Sequence, residues 1–413
     1  MNPRRLSRRL AGCALALVVA LTMSSCAGDG VSTGPGVGST EIVLGVLGDQ
    51  TGPFKDIGQG LVKGNELWAA DVNSRGGVCG RQIRLEIADT SYRPEIVASI
   101  YAVQQPRILG YLQVLGSQVN AVVANKLKQD AVTALSLSWS SFILDNPYQI
   151  VPGTTYDLEL INGLAYLRQQ GLIENGDLVG HIYIRSDYGD NALLGSSYYA
   201  QLHDLQLQPV RIAPADTDLA GIVAQYRRDG VKAIILSTSP TQTASVVTAN
   251  KSTGLNVPLL GNSPSFDTAL LNGPAATGLN RLWLATSSAP YSSDVPMAQE
   301  IARRFTDAYP QLTPTSGVPS GYAEGLIWEQ ILKRACESKD LTRAGVQQAF
   351  RDSNAVGTDN LIAPLDFSKP GSPATRSAYI AKPDAREKGN LKQLTPLYTA
   401  PDVQGYVAPH QAG

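Results

Sequence analysis

Short apolar runs alternate with amphipathic stretches along most of the chain, beginning at Glu41. The apolar runs are rich in leucine or β-branched residues, and the 10–17 residues between them repeat their apolar positions with helical spacing. This alternation is typical of βαβ units, in which parallel strands form a sheet and helices cover both faces. The sequence therefore predicts an α/β fold built on doubly wound parallel sheets.

Two successive series of elements follow this pattern. The first predicts a lobe with strands over 41–47, 83–89, 108–115 and 133–137 and helices over 57–73, 94–105 and 119–129. The second predicts a lobe with helices over 158–170, 192–204, 219–229 and 241–253 and strands over 178–185, 208–212, 231–236 and 258–260.

The rest of the chain lacks the strands for a third sheet. Helices are predicted near 296–309, 319–336 and 342–353, and they must dock on an earlier lobe. From Gly357 onward many prolines and polar residues predict irregular segments that end in a loose tail.

The N-terminus has the features of an export signal. Arg4, Arg5, Arg8 and Arg9 precede an apolar run from Ala11 to Met23, which is shorter than the roughly 20 residues that a membrane-spanning helix needs. The sequence Met23-Ser24-Ser25-Cys26 resembles a bacterial lipoprotein signal, which is cut before a cysteine whose thiol then takes a diacylglycerol. We therefore expect residues 1–25 to be removed and Cys26 to be lipidated. General secretory and twin-arginine export both remain open.

Residues 26–40 are rich in Gly, Ser and Thr, which predicts a flexible tether. Once residues 1–25 are removed, 30 basic and 35 acidic residues remain, a net charge of −5. Nucleic-acid binding requires a clustered basic face, so this class of partner is excluded.

Residues that could carry catalysis are scarce. The chain has three histidines, His181, His203 and His410, and their spacing does not fit a shared metal ion. The sequence has no HExxH, GxSxG, phosphate-loop or CxxC motif. We therefore expect a protein that is not an enzyme and has no metal or cofactor.

Two cysteines, Cys79 and Cys336, remain after Cys13 leaves with the signal and Cys26 is lipidated. Disulfides form in the oxidising compartment to which the protein is exported, so these two cysteines are expected to pair. Two separate buried thiols are the alternative.

Ligands of doubly wound sheets bind beyond the carboxyl ends of the strands, where helix N-termini present free N–H groups. The loops expected there are 48–54, 90–93, 116–120 and 138–141 in the first lobe, and 186–188, 237–240 and 262–267 in the second. They contain small hydroxyls, amides and a few aromatics, which suits reversible capture of a small molecule. Each Ser or Asn could instead cap a helix, and Trp139 could face the cleft or pack at the lobe edge.

Five motifs carry a family resemblance. They are IVLGVLGDQTGPFKDIGQGLVKGNELWAADVNSRGGVCGRQIRLEIAD, VLGSQ, IYIRSDYGDNALLGSSYY, PLLGNSPSFD and SGYAEGLIWEQILKRA. In this order, over residues 41–354, they resemble the periplasmic binding proteins that include the leucine/isoleucine/valine-binding proteins of ABC importers. The resemblance implies two lobes joined by three crossovers, with a cleft that closes on the ligand. Lobe one would be 41–151 plus 287–354, lobe two 152–286 plus 355–400, and the tail 401–413.

The resemblance also implies site residues. The positions that hold a ligand carboxylate in amino-acid-binding members correspond to Asn120, Ser138 and Ser140, and the lobe-two tyrosine is Tyr188. The acid that pairs with the ligand ammonium falls on Ser263, and a second aromatic position falls near Ser239. The full expected set is Gln118, Asn120, Ser138, Trp139, Ser140, Tyr188, Ser239 and Ser263.

Without an acid, a buried ammonium would carry an uncompensated cost of several kcal/mol. Amides, urea and aromatic acids are therefore open as ligands beside amino acids. The expected function is a lipid-anchored, monomeric solute-binding protein on the outer face of the cytoplasmic membrane. It would deliver a small polar or amphipathic metabolite to an ABC permease. A sensor that presents its closed form to a membrane receptor is the alternative.

Overall fold

The computed structural model describes residues 30–411, so the expected signal peptide and Cys26 lie outside the described residues. Its strands are β1 (Ser32–Thr33), β2 (Glu41–Gly48), β3 (Gln82–Asp89), β4 (Gly110–Leu115), β5 (Ala134–Leu137), β6 (Gln149–Ile150), β7 (Leu178–Ile184), β8 (Gln206–Ile212), β9 (Ala233–Ser237), β10 (Leu259–Asn262), β11 (Leu282–Thr286), β12 (Asp340–Leu341), β13 (Tyr379–Pro383) and β14 (Leu391–Gln393). Its helices are α1 (Lys55–Ser74), α2 (Pro94–Gln104), α3 (Ser117–Gln129), α4 (Tyr156–Gln169), α5 (Asp187–Leu202), α6 (Ala220–Asp229), α7 (Pro240–Ser252), α8 (Pro296–Ala308), α9 (Gly317–Glu337) and α10 (Arg343–Arg351). None of these helices is long and apolar enough to cross a membrane.

Each lobe is built on one sheet. The sheet of lobe one has five parallel strands in the order β3-β2-β4-β5-β6. The sheet of lobe two has seven strands in the order β14-β13-β11-β10-β9-β7-β8, and at one edge β13 pairs antiparallel with both β11 and β14. The predicted α/β architecture of two doubly wound lobes is confirmed.

Helix α9 docks on lobe one, as the sequence predicted for the strandless third portion. It packs along α1, and Trp68 and Trp328 are both fully buried in the core that the two helices share. The helix backbones approach each other closely. A Cβ atom on Gly64 would overlap the carbonyl of Val318, and one on Gly321 would overlap the carbonyl of Leu61. Only glycine fits these positions.

The crossovers between the lobes meet at Thr154. Its backbone N–H donates to the Ser287 hydroxyl over 2.9 Å, and the Ser287 hydroxyl lies 3.0 Å from the Thr154 carbonyl. The Thr154 hydroxyl donates to the Ser377 carbonyl. One residue thus joins all three crossovers.

The third crossover lies later in the chain than expected. Side chains between Val356 and Ala374 pack in the core of lobe one, whereas β13 pairs with β11 of lobe two. The chain therefore changes lobes between residues 374 and 379, and the expected boundary at 354/355 is corrected. The reason is that apolar residues of this Pro-rich stretch complete the core beside α9 and α10.

Three strands of lobe two, β11, β13 and β14, were not predicted. The expectation of a loose tail over residues 401–413 is also corrected, because part of this segment is packed against lobe two. Val403 and Tyr406 are buried against α4 and α5, and the Tyr406 hydroxyl donates to Asp157 Oδ2 over 2.9 Å.

Helix α5 begins five residues earlier than predicted. The Ser186 hydroxyl caps it by accepting the N–H of Gly189.

The expected tether is partly folded. Strand β1 pairs with β12, and the Val43 N–H donates to the Gly36 carbonyl over 2.7 Å. Residues 31–40 are therefore fastened to lobe one by backbone hydrogen bonds, and only residues 26–29 of the expected tether lie outside the described residues.

The structure contains the disulfide between Cys79 and Cys336, with a Cα–Cα distance of 6.4 Å. The bond joins the turn before β3 to the end of α9, so it fixes the docked helix to the lobe-one sheet.

Breaking this disulfide should destabilise lobe one. The bond closes a loop of 257 residues, and in the chain-entropy model the loss of such a constraint costs at most about 5.5 kcal/mol. We expect Cys336→Ser to lower the free energy of unfolding in denaturant. The double variant Cys79→Ser/Cys336→Ser is the control, because its stability should not respond to reductant. Free thiols at both positions in the exported protein would contradict the pairing.

Candidate ligand-binding site

Two adjoining cavities lie between the lobes, at the carboxyl ends of the strands. The first chamber encloses about 550 Å³ and the second chamber about 420 Å³, including space open to solvent. They share four lining residues, Ile57, Trp139, Ser263 and Ser320.

Most of the first chamber is aliphatic or aromatic. Helix α1 contributes Ile57 and Leu61, which face the same side because they are four residues apart. Leu115 at the end of β4 and Leu137 at the end of β5 continue this surface. These four side chains give this part of the chamber an apolar wall without hydroxyl groups.

Aromatic rings line the chamber from both lobes. Tyr156 lies 6.4 Å from Trp139 and 4.6 Å from Tyr188 between ring centroids, and Phe54 meets Tyr92 edge-on at 4.9 Å. These distances fall in the favourable range for aromatic pairs. Tyr156 and Tyr188 belong to lobe two and Trp139 to lobe one, so the aromatic contacts join the two lobes across the cleft.

Two tyrosine side chains lie near the start of α3. Burial raises the pKa of Tyr92 to about 12, and the backbone N–H groups of Gln118 and Ser117 partly oppose this shift. Burial also raises the pKa of Tyr156, and the Trp139 backbone and the Ser117 side chain partly oppose that shift.

Neither chamber has a charged lining residue within the described part of the chain. Residues 30–411 also contain no group of three or more His, Cys, Asp or Glu side chains placed to hold a metal ion. His181 is fully buried in β7 between the hydroxyls of Ser196 and Ser237, and burial lowers its pKa to about 3.

A buried carboxyl lies directly behind the second chamber. The Ser263 hydroxyl donates to Glu159 Oε1 over 2.6 Å, and Ser287 Oγ lies 3.1 Å from the same oxygen. Glu159 is fully buried, and burial raises its pKa to about 8 although the serine hydrogen bonds partly lower it. At neutral pH this side chain therefore holds a proton and carries no charge.

The structure brings three of the expected site residues to the cavities. Trp139 and Ser263 line both chambers, and Tyr188 lines the first. The Tyr188 hydroxyl donates to Asn262 Oδ1 over 3.0 Å, which fixes its ring against Tyr156.

The other five expected residues do not line the chambers. Asn120 donates to the carbonyls of Val114 and Gly116, and Gln118 lies outside both linings. Ser138 lies behind Ser117, with their hydroxyl oxygens 2.8 Å apart. Ser140 caps a short turn, and Ser239 caps α7 in a reciprocal pair with Gln242. Capping, the alternative role for such residues, accounts for both of these serines.

Sequence reasoning missed several lining residues, namely Phe54, Ile57, Leu61, Tyr92, Leu115, Ser117, Leu137, Tyr156, Pro264 and Ser320. Phe54 and Tyr92 could have been predicted, because both are aromatic residues in loops expected at the carboxyl ends of strands. Ser320 gave no local signal, since it reaches the cleft only through the docking of α9 on α1.

Comparison with known proteins places these features in a family context. The family model described as periplasmic binding protein matches residues 41–390. No protein in the curated set matches the chain.

Solved structures resemble the whole described fold. A fatty acid ABC transporter substrate-binding protein from Thermomonospora curvata is 35% identical, with a TM-score of 0.89, covering 92% of this chain and 98% of its own. A branched-chain amino acid ABC transporter protein from Thermus thermophilus with bound valine is 18% identical, with a TM-score of 0.76, covering 88% of this chain and 98% of its own. The second likeness concerns the fold alone.

The buried carboxyl of Glu159 should make stability depend on pH. Its pKa in the folded protein, about 8, exceeds the ordinary value of 4.5, so the unfolded chain loses this proton first as pH rises. Stability should therefore fall between about pH 4.5 and 8, by roughly 3–5 kcal/mol from this group. We expect Glu159→Gln to remove this part of the decline in denaturant unfolding at pH 5, 7 and 9.

Glu174→Gln is the matched control, because Glu174 is an exposed carboxylate. Glu324, which is also buried with a raised pKa, contributes equally to all three proteins, so only differences between them are compared. Parallel stability curves for wild type and Glu159→Gln would contradict the prediction.

Proposed function

Since the chain belongs to the periplasmic binding protein family, as its sequence motifs predicted, we propose that it captures a fatty acid, or an amphipathic molecule of similar shape, for an ABC importer. Members of this family are substrate-binding proteins of ABC transporters and take a small ligand. The fatty-acid class is the step that we add.

The observation that carries this proposal is the apolar, uncharged lining of the first chamber. Aliphatic residues of α1, β4 and β5 and the aromatic side chains of both lobes offer a hydrocarbon chain a continuous surface. Each methylene group buried there contributes about 0.8 kcal/mol. A ligand with a long apolar part gains most from such a cleft.

The same lining disfavours an α-amino acid, which was among the ligands expected from sequence. A bound ammonium group needs a carboxylate, and the nearest candidate, Glu159, is protonated and lies behind Ser263. A buried ammonium group would therefore pay the desolvation penalty with little return.

The relative from Thermomonospora curvata supports the ligand class, because it is named a fatty acid substrate-binding protein and shares 35% identity over 92% of this chain.

The lipoprotein-type signal supports a location on the outer face of the cytoplasmic membrane, with Cys26 as the lipid anchor and the protein acting as a monomer. An anchored binding protein stays close to its permease, which suits a poorly soluble ligand that would otherwise partition into membranes.

Affinity should rise with the length of the hydrocarbon chain. We expect the saturated acids from octanoic to dodecanoic to gain about fourfold in affinity per methylene until the chamber is full, since 0.8 kcal/mol corresponds to that factor. Leucine and valine should not shift the melting temperature. Calorimetry below the critical micelle concentration measures the series. Tight binding of an amino acid, with no binding of the acids, would contradict the proposal.

Trp139→Ala should weaken binding by about 1–3 kcal/mol, because it removes a large aromatic contact shared by both chambers. Trp283→Ala is the matched control. Trp283 lies in β11, outside both linings, with its ring against Lys382. Equal affinity losses in the two variants would indicate a general effect on folding rather than a contact with the ligand.

Replacing Cys26 tests the anchor. We expect Cys26→Ser to release the protein from membranes or to block its processing, because the thiol that accepts the lipid is gone. Fractionation of cells and the mass of the mature protein are the measurements. An unchanged membrane fraction with a normal mature mass would exclude Cys26 as the lipidation site.

A further inference from the structure

The two chambers differ in their serine and threonine residues. Thr286 and Ser288 from a crossover, Ser316 and Ser320 at the start of α9, and Ser263 from lobe two line the second chamber. Among the described residues, the first chamber has three serines and no threonine, and Leu61, Leu115 and Leu137 line it alone. The second chamber, beside the crossovers, is therefore the richer in aliphatic hydroxyl groups.

The cleft also has an unused donor. Trp139 lines both chambers and is 8% exposed, and its indole Nε1–H has no hydrogen-bond partner among the described residues. Ser316 stands at the N-terminus of α9, yet its hydroxyl makes no capping bond. A buried donor without an acceptor is costly to a folded protein, so a donor kept free in a binding cleft points to an acceptor on the ligand.

Two hydroxyls of the first chamber are already paired within the protein. The Ser117 hydroxyl lies 2.8 Å from the Ser138 hydroxyl, and the Tyr188 hydroxyl donates to Asn262 Oδ1. The family resemblance would put a ligand carboxylate at Asn120, Ser138 and Ser140. None of these three residues lines either chamber.

Resting on the proposed fatty-acid function, we propose that the ligand binds with its polar end in the second chamber and its hydrocarbon chain in the first. The Trp139 indole N–H and the hydroxyls of Ser316 and Ser320 hold the carboxyl group. The chain then passes Ile57 and ends between Leu115 and Leu137. This orientation is the reverse of the one that the resemblance implies.

The orientation has a direct chemical test. Hexadecanoic acid with a diazirine at its terminal carbon is bound to the full-length exported protein and irradiated, and the labelled residues are mapped by mass spectrometry. We expect labels on Leu61, Leu115 or Leu137. Labels on Phe266, Leu284 or Leu391, which line the second chamber alone, would overturn the proposed orientation.

A substitution tests the donor itself. Trp139→Phe keeps an aromatic ring and removes the N–H, and we expect the affinity for dodecanoic acid to fall about tenfold, as for one hydrogen bond to a charged group. Trp328→Phe is the matched control, because the indole N–H of Trp328 is also buried and unpartnered but lies in the core of lobe one. An unchanged affinity in Trp139→Phe, or equal losses in both variants, would overturn the role of Trp139.

The results separate this inference from the proposed function. Wild-type protein that binds the acids but is labelled in the second chamber refutes the orientation and leaves the function standing. Wild-type protein that binds none of the acids refutes both. A larger affinity loss in Ser117→Ala than in Trp139→Phe would place the carboxyl group at α3 and overturn the inference.

Discussion

The hydrogen bonds at Thr154 hold together the three crossovers on which the relation of the two lobes depends. Ser287 stands between Thr154 and Glu159, and its hydroxyl has one proton to give. While Glu159 is protonated it can donate to Ser287, which leaves the Ser287 proton for the Thr154 carbonyl. Ionised Glu159 would compete for that proton. Because Ser263 joins Glu159 to the cleft, the crossovers and the binding site belong to one hydrogen-bonded unit.

The fold could be predicted wherever the signal was local. The alternation of apolar runs and amphipathic stretches located the first lobe and most of the second, because each strand and helix there carries its own periodicity. Strands β13 and β14 were not predicted because they are only five and three residues long and their own sequence carries little periodicity. They are fixed instead by pairing at the sheet edge, β13 with β11 and β14 with β13. The buried tail was not predicted either, because its contacts are distant in sequence: Tyr406 donates to Asp157, which lies 249 residues away.

The site was predictable in place but not in composition. The carboxyl ends of the strands do form the cleft, and Trp139, Tyr188 and Ser263 were identified among its residues. The small polar residues were assigned wrongly because the sequence does not show whether Ser239 or Asn120 bonds the protein's own backbone or a ligand. Glu159 resembles an ordinary acid in the first turn of a helix, where the helix dipole favours it. Only the structure shows that Glu159 is buried behind Ser263 and that its pKa is raised.

The interleaving of the two lobes along the chain governs the order in which they can fold. The close contact between α1 and α9 in lobe one cannot form until residues 317–337 have been synthesised. In lobe two, one edge of β11 stays unpaired until residues 379–383 are available. An unpaired edge strand invites pairing with other chains, and contacts so distant in sequence form slowly. Neither lobe can therefore complete its core as an early intermediate while the chain is being synthesised or translocated. The protein should reach its native state late, in a step that closes both cores after most of the chain is available.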